Sequence, residues 1–365
     1  MSKLVVITGA SAGVGRAAAA EFARNGCDVG LIARNEERLG RAAAELQAMG
    51  VRAVAVAADV ADFAAVDAAA SRIEAALGPI DVWVNNAMAT IFAPVHEIAP
   101  DEFRRATEVT YLGQVNGTMA ALARMRPRNE GTIVNIGSAL AYRAIPLQSA
   151  YCGAKYAVRG FTDALRTELL HDGVRVHLTM VHLPAMNTPQ FEWALNRMER
   201  RPQPVPPIFQ PEVAARAIVF AAFHRRREVW VGLPTAVAIV ANRIAPGWLD
   251  RYLARSGYAG QLTREPNPPD APANLFDSVP GDYGAHGRFD ARAKDASVEF
   301  AASKHRGALA CGLLAIASMA VAAIIAAERR RPLSLVARGR RRRLSSVARE
   351  RRLLSLRGPG RSKLG

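Results

Sequence analysis

Tyr151 and Lys155 stand four residues apart in Tyr151-Cys152-Gly153-Ala154-Lys155, and Ser138 precedes the tyrosine by thirteen residues. At i and i+4 of a helix, a phenol and an ammonium share one face. A free tyrosine titrates near ~10 and is a poor base at neutral pH. A nearby ammonium favours the phenolate and lowers that value. Such a pair can give a proton to a substrate oxygen or take one from it. A serine hydroxyl held at the same oxygen stabilises the charge that develops there. A lone Y-x-x-x-K also describes ordinary surface pairs, so the reading depends on what else the chain holds.

A second cluster lies at the start. Thr8-Gly9-Ala10-Ser11-Ala12-Gly13-Val14-Gly15 follows a short apolar run and opens a helical stretch. Glycines there permit a tight turn and close approach of backbone to a diphosphate, and the helix N-terminus offers free N–H groups to it. The spacing is T-G-x-x-x-G-x-G rather than the common G-x-G-x-x-G. Together with Asn85-Asn86-Ala87 and the Ser138, Tyr151, Lys155 set, it resembles the short-chain dehydrogenase/reductase family over roughly residues 3–235.

The resemblance implies a nicotinamide dinucleotide as hydride carrier, with Tyr151 as general acid for reduction and general base for oxidation. It assigns to Lys155 the lowering of the Tyr151 pKa and a contact to the nicotinamide ribose, and to Ser138 the substrate oxygen. The cofactor-binding set it implies is Gly9, Ser11, Ala12, Gly13, Val14 and Gly15 in the turn, then Asp59-Val60, Asn86-Ala87, Tyr151, Lys155, Pro184 and Thr188. Three positions depart from the family pattern. Met88 replaces the Gly after Asn-Asn-Ala, Ala185 replaces the Gly after Pro184, and Thr110 stands where the family carries a catalytic Asn. A threonine cannot copy both the donor and the acceptor of an amide, so any proton relay past Lys155 would be altered.

The second β run ends Leu31-Ile32-Ala33-Arg34. NAD enzymes commonly place an acidic side chain here for the ribose 2′-hydroxyl. Ala33 has none, and Arg34 can pair with a 2′-phosphate, with Arg16 to assist. The expected cofactor is NADP(H) rather than NAD(H).

These residues need a frame. Seven short apolar runs, Leu4–Thr8, Val29–Ala33, Ala53–Ala57, Ile80–Asn85, Gly131–Gly137, Val174–Met180 and Glu228–Gly232, alternate with stretches of helix length. Continuous rather than alternating apolar strands imply burial on both faces. The expected fold is α/β, a Rossmann-like doubly wound parallel sheet with helices on both faces and a ligand crevice at the carboxyl ends of the strands. Residues 1–235 form the catalytic NADP(H)-binding domain, 236–263 a helical extension broken at Pro246-Gly247, and 264–305 a linker rich in Pro, Gly and Asp. Residues 306–328 form an apolar helix and 329–365 an Arg-rich tail. Pro189–Gln210, with Phe191, Trp193 and Ile208, is expected to be an apolar substrate lid.

Composition bounds the rest. Half of the 365 residues are apolar, enough for one large core. Cys27, Cys152 and Cys311 form no C-x-x-C pair, and the seven histidines show no metal-ligand spacing, so neither a disulfide framework nor a metal is expected. His177 and His182 read as packing or surface residues. The net charge of +16 is concentrated at the end: residues 328–365 hold 14 basic residues and two acidic ones. Gly307–Ala327 carries no charge over 21 residues and would span roughly 31 Å as a helix. Three readings stand for this end: membrane association of the apolar helix with the tail on anionic lipid, phosphate-driven nucleic-acid binding, or packing on another subunit. Membrane association is expected, nucleic acid is not, and the catalytic part belongs to the cytoplasm as a homo-oligomer acting on a small carbonyl or alcohol substrate. The competing function is a catalytically idle NADP(H)-binding regulatory protein on the same fold, which only Thr110, Met88 and Ala185 favour. An epimerase or dehydratase is a further alternative.

Overall fold

The computed structural model describes residues 2–307 and, beyond them, 315, 317–323 and 326. The chain divides into two compact units, Met1–Ser303 and Lys304–Gly365; the architecture below belongs to the first. The basic tail expected at 329–365, and most of the apolar helix expected at 306–328, lie outside the described residues. Among the described residues no helix is long and apolar enough to cross a membrane.

Seven strands build one parallel sheet: β1 (Leu4–Thr8), β2 (Asp28–Ala33), β3 (Ala53–Ala57), β4 (Ile80–Asn85), β5 (Thr132–Ser138), β6 (His177–Leu183) and β7 (Glu228–Trp230). Their order is β7-β6-β5-β4-β1-β2-β3. Order reverses beside β1, which opens the crevice that doubly wound sheets use for ligands. The helices are α1 (Gly13–Arg24), α2 (Glu36–Ala48), α3 (Phe63–Leu77), α4 (Pro100–Thr107), α5 (Gly113–Arg128), α6 (Ser149–His171), the single turn α7 (Gln190–Trp193) and α8 (Pro211–Phe223). A π-helical turn, Glu108–Leu112, joins α4 to α5.

The sheet is buried on both faces because alternate residues of its strands enter different cores. Val5, Ile7, Val29, Leu31, Val134 and Ile136 pack with α1, α2 and α8. Leu4, Val6, Ile32, Trp83 and Ile133 pack with α3, α5 and α6. β6 starts three residues later than the apolar run Val174–Met180 suggested. Gly173 turns with φ +66°, and the Val174 N–H closes the end of α6 on the Leu169 carbonyl at 2.9 Å. Residues 174–176 therefore serve the turn, and pairing with β5 runs from Thr132↔His177 to Ser138↔Leu183.

Beyond β7 come α9 (Leu233–Ile244) and α10 (Pro246–Gly260), which meet at the proline. Of residues 264–305, read as a linker, those up to Ser303 belong to the first unit and pack within it. Leu262–Pro266 pairs antiparallel with Arg200–Pro202, Leu275, Val279, Phe289 and Phe300 are buried, and α11 (Val298–Lys304) follows. Isolated apolar residues leave no periodic signal, and here each finds its own recess.

Candidate active site and nucleotide pocket

Ser138 ends β5, and its Oγ accepts the Leu140 N–H at 3.1 Å. Tyr151 and Lys155 occupy the first two turns of α6, which starts a short loop later. The Lys155 side chain is buried, its Nζ donating to the Ile136 carbonyl at 2.7 Å and lying 5.5 Å from the centre of the Tyr151 ring. No carboxylate is among the causes acting on this ammonium, and burial alone pulls its pKa down to about 7. Burial also pushes the Tyr151 phenol well above its ordinary value, against a hydrogen bond with Ser138 that pulls the other way. Both groups are thus driven toward their neutral forms. Beneath Ser138, the His182 Nδ1 lies 3.3 Å from the Ser138 carbonyl. Burial lowers the His182 pKa to about 4, so the ring is neutral at pH 7; the packing role read for it stands beside a hold on the Ser138 backbone.

Thr110 is brought near but turned elsewhere. It is fully buried, donates to the Ala89 carbonyl at 2.8 Å and accepts the Ala89 N–H at 2.9 Å. Both capacities of the hydroxyl are spent on the loop after Asn85-Asn86-Ala87-Met88, and Thr110 is not among the residues lining the pocket. In this arrangement its side chain braces that loop. One helical turn on, Gln114 donates to the Ile136 carbonyl at 3.0 Å, the same oxygen that receives Lys155.

The glycine turn joins β1 to α1. Gly9 has φ +66°, a region that side chains disfavour. A Cβ on Gly15 would fall 2.1 Å from the Gly9 carbonyl oxygen. Gly15 thus shapes the turn from behind and is not among the lining residues, whereas Gly9, Ser11, Ala12, Gly13 and Val14 are. Asn86 holds the turn in place through Nδ2, which donates to the Thr8 and Gly9 carbonyls at 3.1 and 3.2 Å.

One pocket runs from this turn to Ser138, Tyr151 and Lys155. Arg34, Asp59, Val60, Asn86, Ala87, Ser138, Tyr151, Lys155, Pro184 and Thr188 all line it. Thr188 is placed by its neighbour Asn187, which is fully buried and bonds to Gln210 and Asp290. At the far end, Asp59 is tied to Arg105. Arg34 donates to the carbonyls of Asn274, Leu275 and Phe276. Arg16, expected to assist it, is committed instead to Glu45 and Asp282. Arg38, which the sequence reading passed over, lines the same end. Its signal was available: it sits one helical turn after Arg34, in the first turn of α2. Asn274, Ser278 and Val279 also line the pocket, and no local pattern announces them.

A cradle with no room for a Cβ at Gly9 or Gly15, a helix N-terminus beside it, and the cations Arg34 and Arg38 beyond a β2 that ends in Ala33 rather than a carboxylate fit a dinucleotide bearing an extra phosphate. Apolar side chains, among them Leu140, Ile145, Met186, Phe191, Trp193 and Val205, also line the pocket. Phe191 and Ile208 of the expected lid also share a small core with Phe92 and Phe289. Among the described residues no cluster of His, Cys, Asp or Glu could hold a metal ion.

Comparison with known proteins agrees with this geometry. The family model described as short chain dehydrogenase matches residues 3–197. The uncharacterized oxidoreductase YxnA of Bacillus subtilis (strain 168) is 32% identical over 278 residues, 76% of this chain and 78% of that protein. A fatty acyl-CoA reductase of Acinetobacter baylyi is 30% identical over 246 residues, 67% of this chain and 80% of that one. Among solved structures, an alcohol dehydrogenase from the archaeon Thermococcus sibiricus, complexed with 5-hydroxy-NADP, matches with a TM-score of 0.54. Its sequence identity is 27%, over 63% of this chain and 96% of that one.

Proposed function

Starting from a chain that belongs to the short chain dehydrogenase family of oxidoreductases, we propose that it is an NADP(H)-dependent reductase of a carbonyl group on an apolar substrate. The observation that carries the reading is the single pocket wall on which Ser138, Tyr151 and Lys155 meet, continuous with the glycine turn. When bound, NADP(H) supplies hydride from C4 of its nicotinamide. The glycine turn with Asn86, Ala87, Pro184 and Thr188 would hold it, and Arg34 and Arg38 would receive its 2′-phosphate. Tyr151 gives its phenolic proton to the substrate oxygen as the carbonyl carbon is reduced, and Ser138 donates a hydrogen bond to the same oxygen. Lys155 anchors the Tyr151 end of α6 to the Ile136 carbonyl and supplies positive charge beside the phenol below about pH 7.

Burial favours the protonated Tyr151 phenol, the form that donates in reduction. An apolar substrate is supported by the lining of the pocket and by the relative named fatty acyl-CoA reductase. The test is NADPH consumption against a panel of long-chain aldehydes, ketones and acyl thioesters, run beside Tyr151→Phe. Turnover that is lost in Tyr151→Phe while NADPH still binds supports the reading. Binding without turnover on every compound would favour the idle nucleotide-binding protein. Membrane association through residues 306–365 is part of the same proposal, and it fails if a chain ending at residue 305 still pellets with membranes.

A further inference from the structure

The arginines at the adenosine end of the pocket are gripped from outside. Arg34 donates to three successive carbonyls, those of Asn274, Leu275 and Phe276. Arg38 donates to the carbonyls of Val279 and, at 2.8 Å, Gly281. Arg105 adds a bond to the Leu275 carbonyl at 3.1 Å. Arg16 meets Asp282 at 2.6 Å. The segment is tied at both ends to parts of the pocket. The Asn274 N–H donates to the Trp193 carbonyl on the lid at 2.9 Å, and the Gly13 N–H of the glycine turn donates to the Gly284 carbonyl at 3.0 Å. Leu275 and Val279 are buried along the way. Tyr283 packs edge-on to Trp193 at 4.6 Å, and the Arg38 guanidinium lies over both rings.

We infer that residues 274–284 are a strap forming the outer wall of the nucleotide site, which closes over the adenosine 2′-phosphate and must lift for the nucleotide to exchange. The inference rests on the proposed NADP(H) reading and adds the element that governs how that nucleotide enters and leaves. The physical argument is one of shared donors. A guanidinium has five N–H donors in a fixed fork. Backbone carbonyls of the strap use some of them, and phosphate oxygens can use others. Arg34 and Arg38 are therefore both the clasp of the strap and the cations of the pocket. A phosphate that orients these guanidiniums also orients the strap, so binding and closure reinforce one another. Adenosine 2′,5′-bisphosphate, which carries the relevant phosphate without the nicotinamide, should close the strap by itself, and ADP should do so poorly. The lid and the glycine turn are bridged by one segment, so opening it frees both ends of the crevice together.

The experiment measures NADPH release from the full-length protein by stopped-flow fluorescence, using excess NADP+ as the chase. Wild type is compared with Tyr283→Ala and with the milder Asp282→Asn; neither position lines the pocket, and circular dichroism checks their folding. Release should quicken about tenfold in Tyr283→Ala, the scale of one lost edge-on ring contact together with one lost cation–π contact, and less in Asp282→Asn, which keeps a hydrogen-bonding side chain for Arg16. In wild type, chymotryptic cleavage at exposed Phe276 should be suppressed by NADPH and by adenosine 2′,5′-bisphosphate but not by ADP. Release within twofold of wild type in both variants, or tighter NADPH binding in them, overturns the strap while leaving the reductase reading intact. A wild-type protein that binds neither NADPH nor NADH overturns the nucleotide reading, and the strap with it.

Discussion

The two ends of the pocket are built on opposite plans. At the catalytic end, Ser138, Tyr151 and Lys155 come from consecutive elements, the end of β5 and the start of α6. Their placement needs little more than a parallel strand and the helix that follows it. At the adenosine end, Arg34 and Arg38 bond to carbonyls 240 to 243 residues further along the chain. The first end is held by the sheet, whose opening would require global unfolding. The second is held by a segment of no regular structure, of the kind that opens locally at lower cost. On the proposed reading, chemistry would be set by the sheet and the helix that follows it, and nucleotide choice and exchange by the segment 274–284.

Substitutions can break that division, and the largest effect belongs to the catalytic end. Tyr151→Phe should lower turnover by about 10³-fold, within the range for a lost general acid, with NADPH affinity retained. An equal loss of affinity would mean that the phenol serves binding rather than proton transfer. Ser138→Ala should cost roughly 10²-fold in kcat, as for one lost donor to a developing oxyanion, and a change confined to KM would remove that role. At the other end, Arg34→Ala with Arg38→Ala should weaken NADPH by about 10- to 100-fold through lost charge-assisted bonds. NADH should be little affected, and a parallel loss for both nucleotides would show that the arginines act only as structural clasps.

The pH profile separates the two ends. Burial holds Lys155 at about 7, below its ordinary value of 10.5. The ammonium beside Tyr151 is therefore lost as pH rises through about 7, and single-turnover reduction should fall on that limb. Lys155→Met should abolish the limb, while Arg34→Ala should leave its position alone. A limb that persists in Lys155→Met belongs to another group. Stability depends on pH in the opposite sense. The unfolded chain takes up this proton first, so the Lys155 contribution to stability declines as pH falls from 10.5 towards 7. The smallest effect concerns Thr110. Thr110→Val removes the partner of both Ala89 backbone groups and should cost about 1–3 kcal/mol of stability, read as a lower Tm, with kcat changed far less than by Tyr151→Phe. A fall in kcat as large as that of Tyr151→Phe would return Thr110 to the catalytic set.

The sequence by itself determined what depends on local physics. Apolar runs of β length and helical spacing located β1, β3 and β4 to the residue. The glycine turn, Asn86 and the Ser138, Tyr151, Lys155 set were legible through the family resemblance, and the sheet brings them to one pocket because each lies at or just past the end of a strand or at the start of the helix after it. Thr110 could be aligned but not oriented, since its partner on the Ala89 backbone is a tertiary neighbour. The strap left no trace at all. Its residues read as a linker because a segment without hydrophobic period gains order only from contacts elsewhere: its carbonyls from Arg34 and Arg38, its Leu275 and Val279 from recesses in the body. Tertiary structure alone decided that Arg34 is shared with the strap, that Arg16 is spent on Asp282, and that the pocket has an outer wall. The pairing of a side chain with a distant backbone carbonyl needs no particular residue at the carbonyl position, so it writes no pattern into the chain.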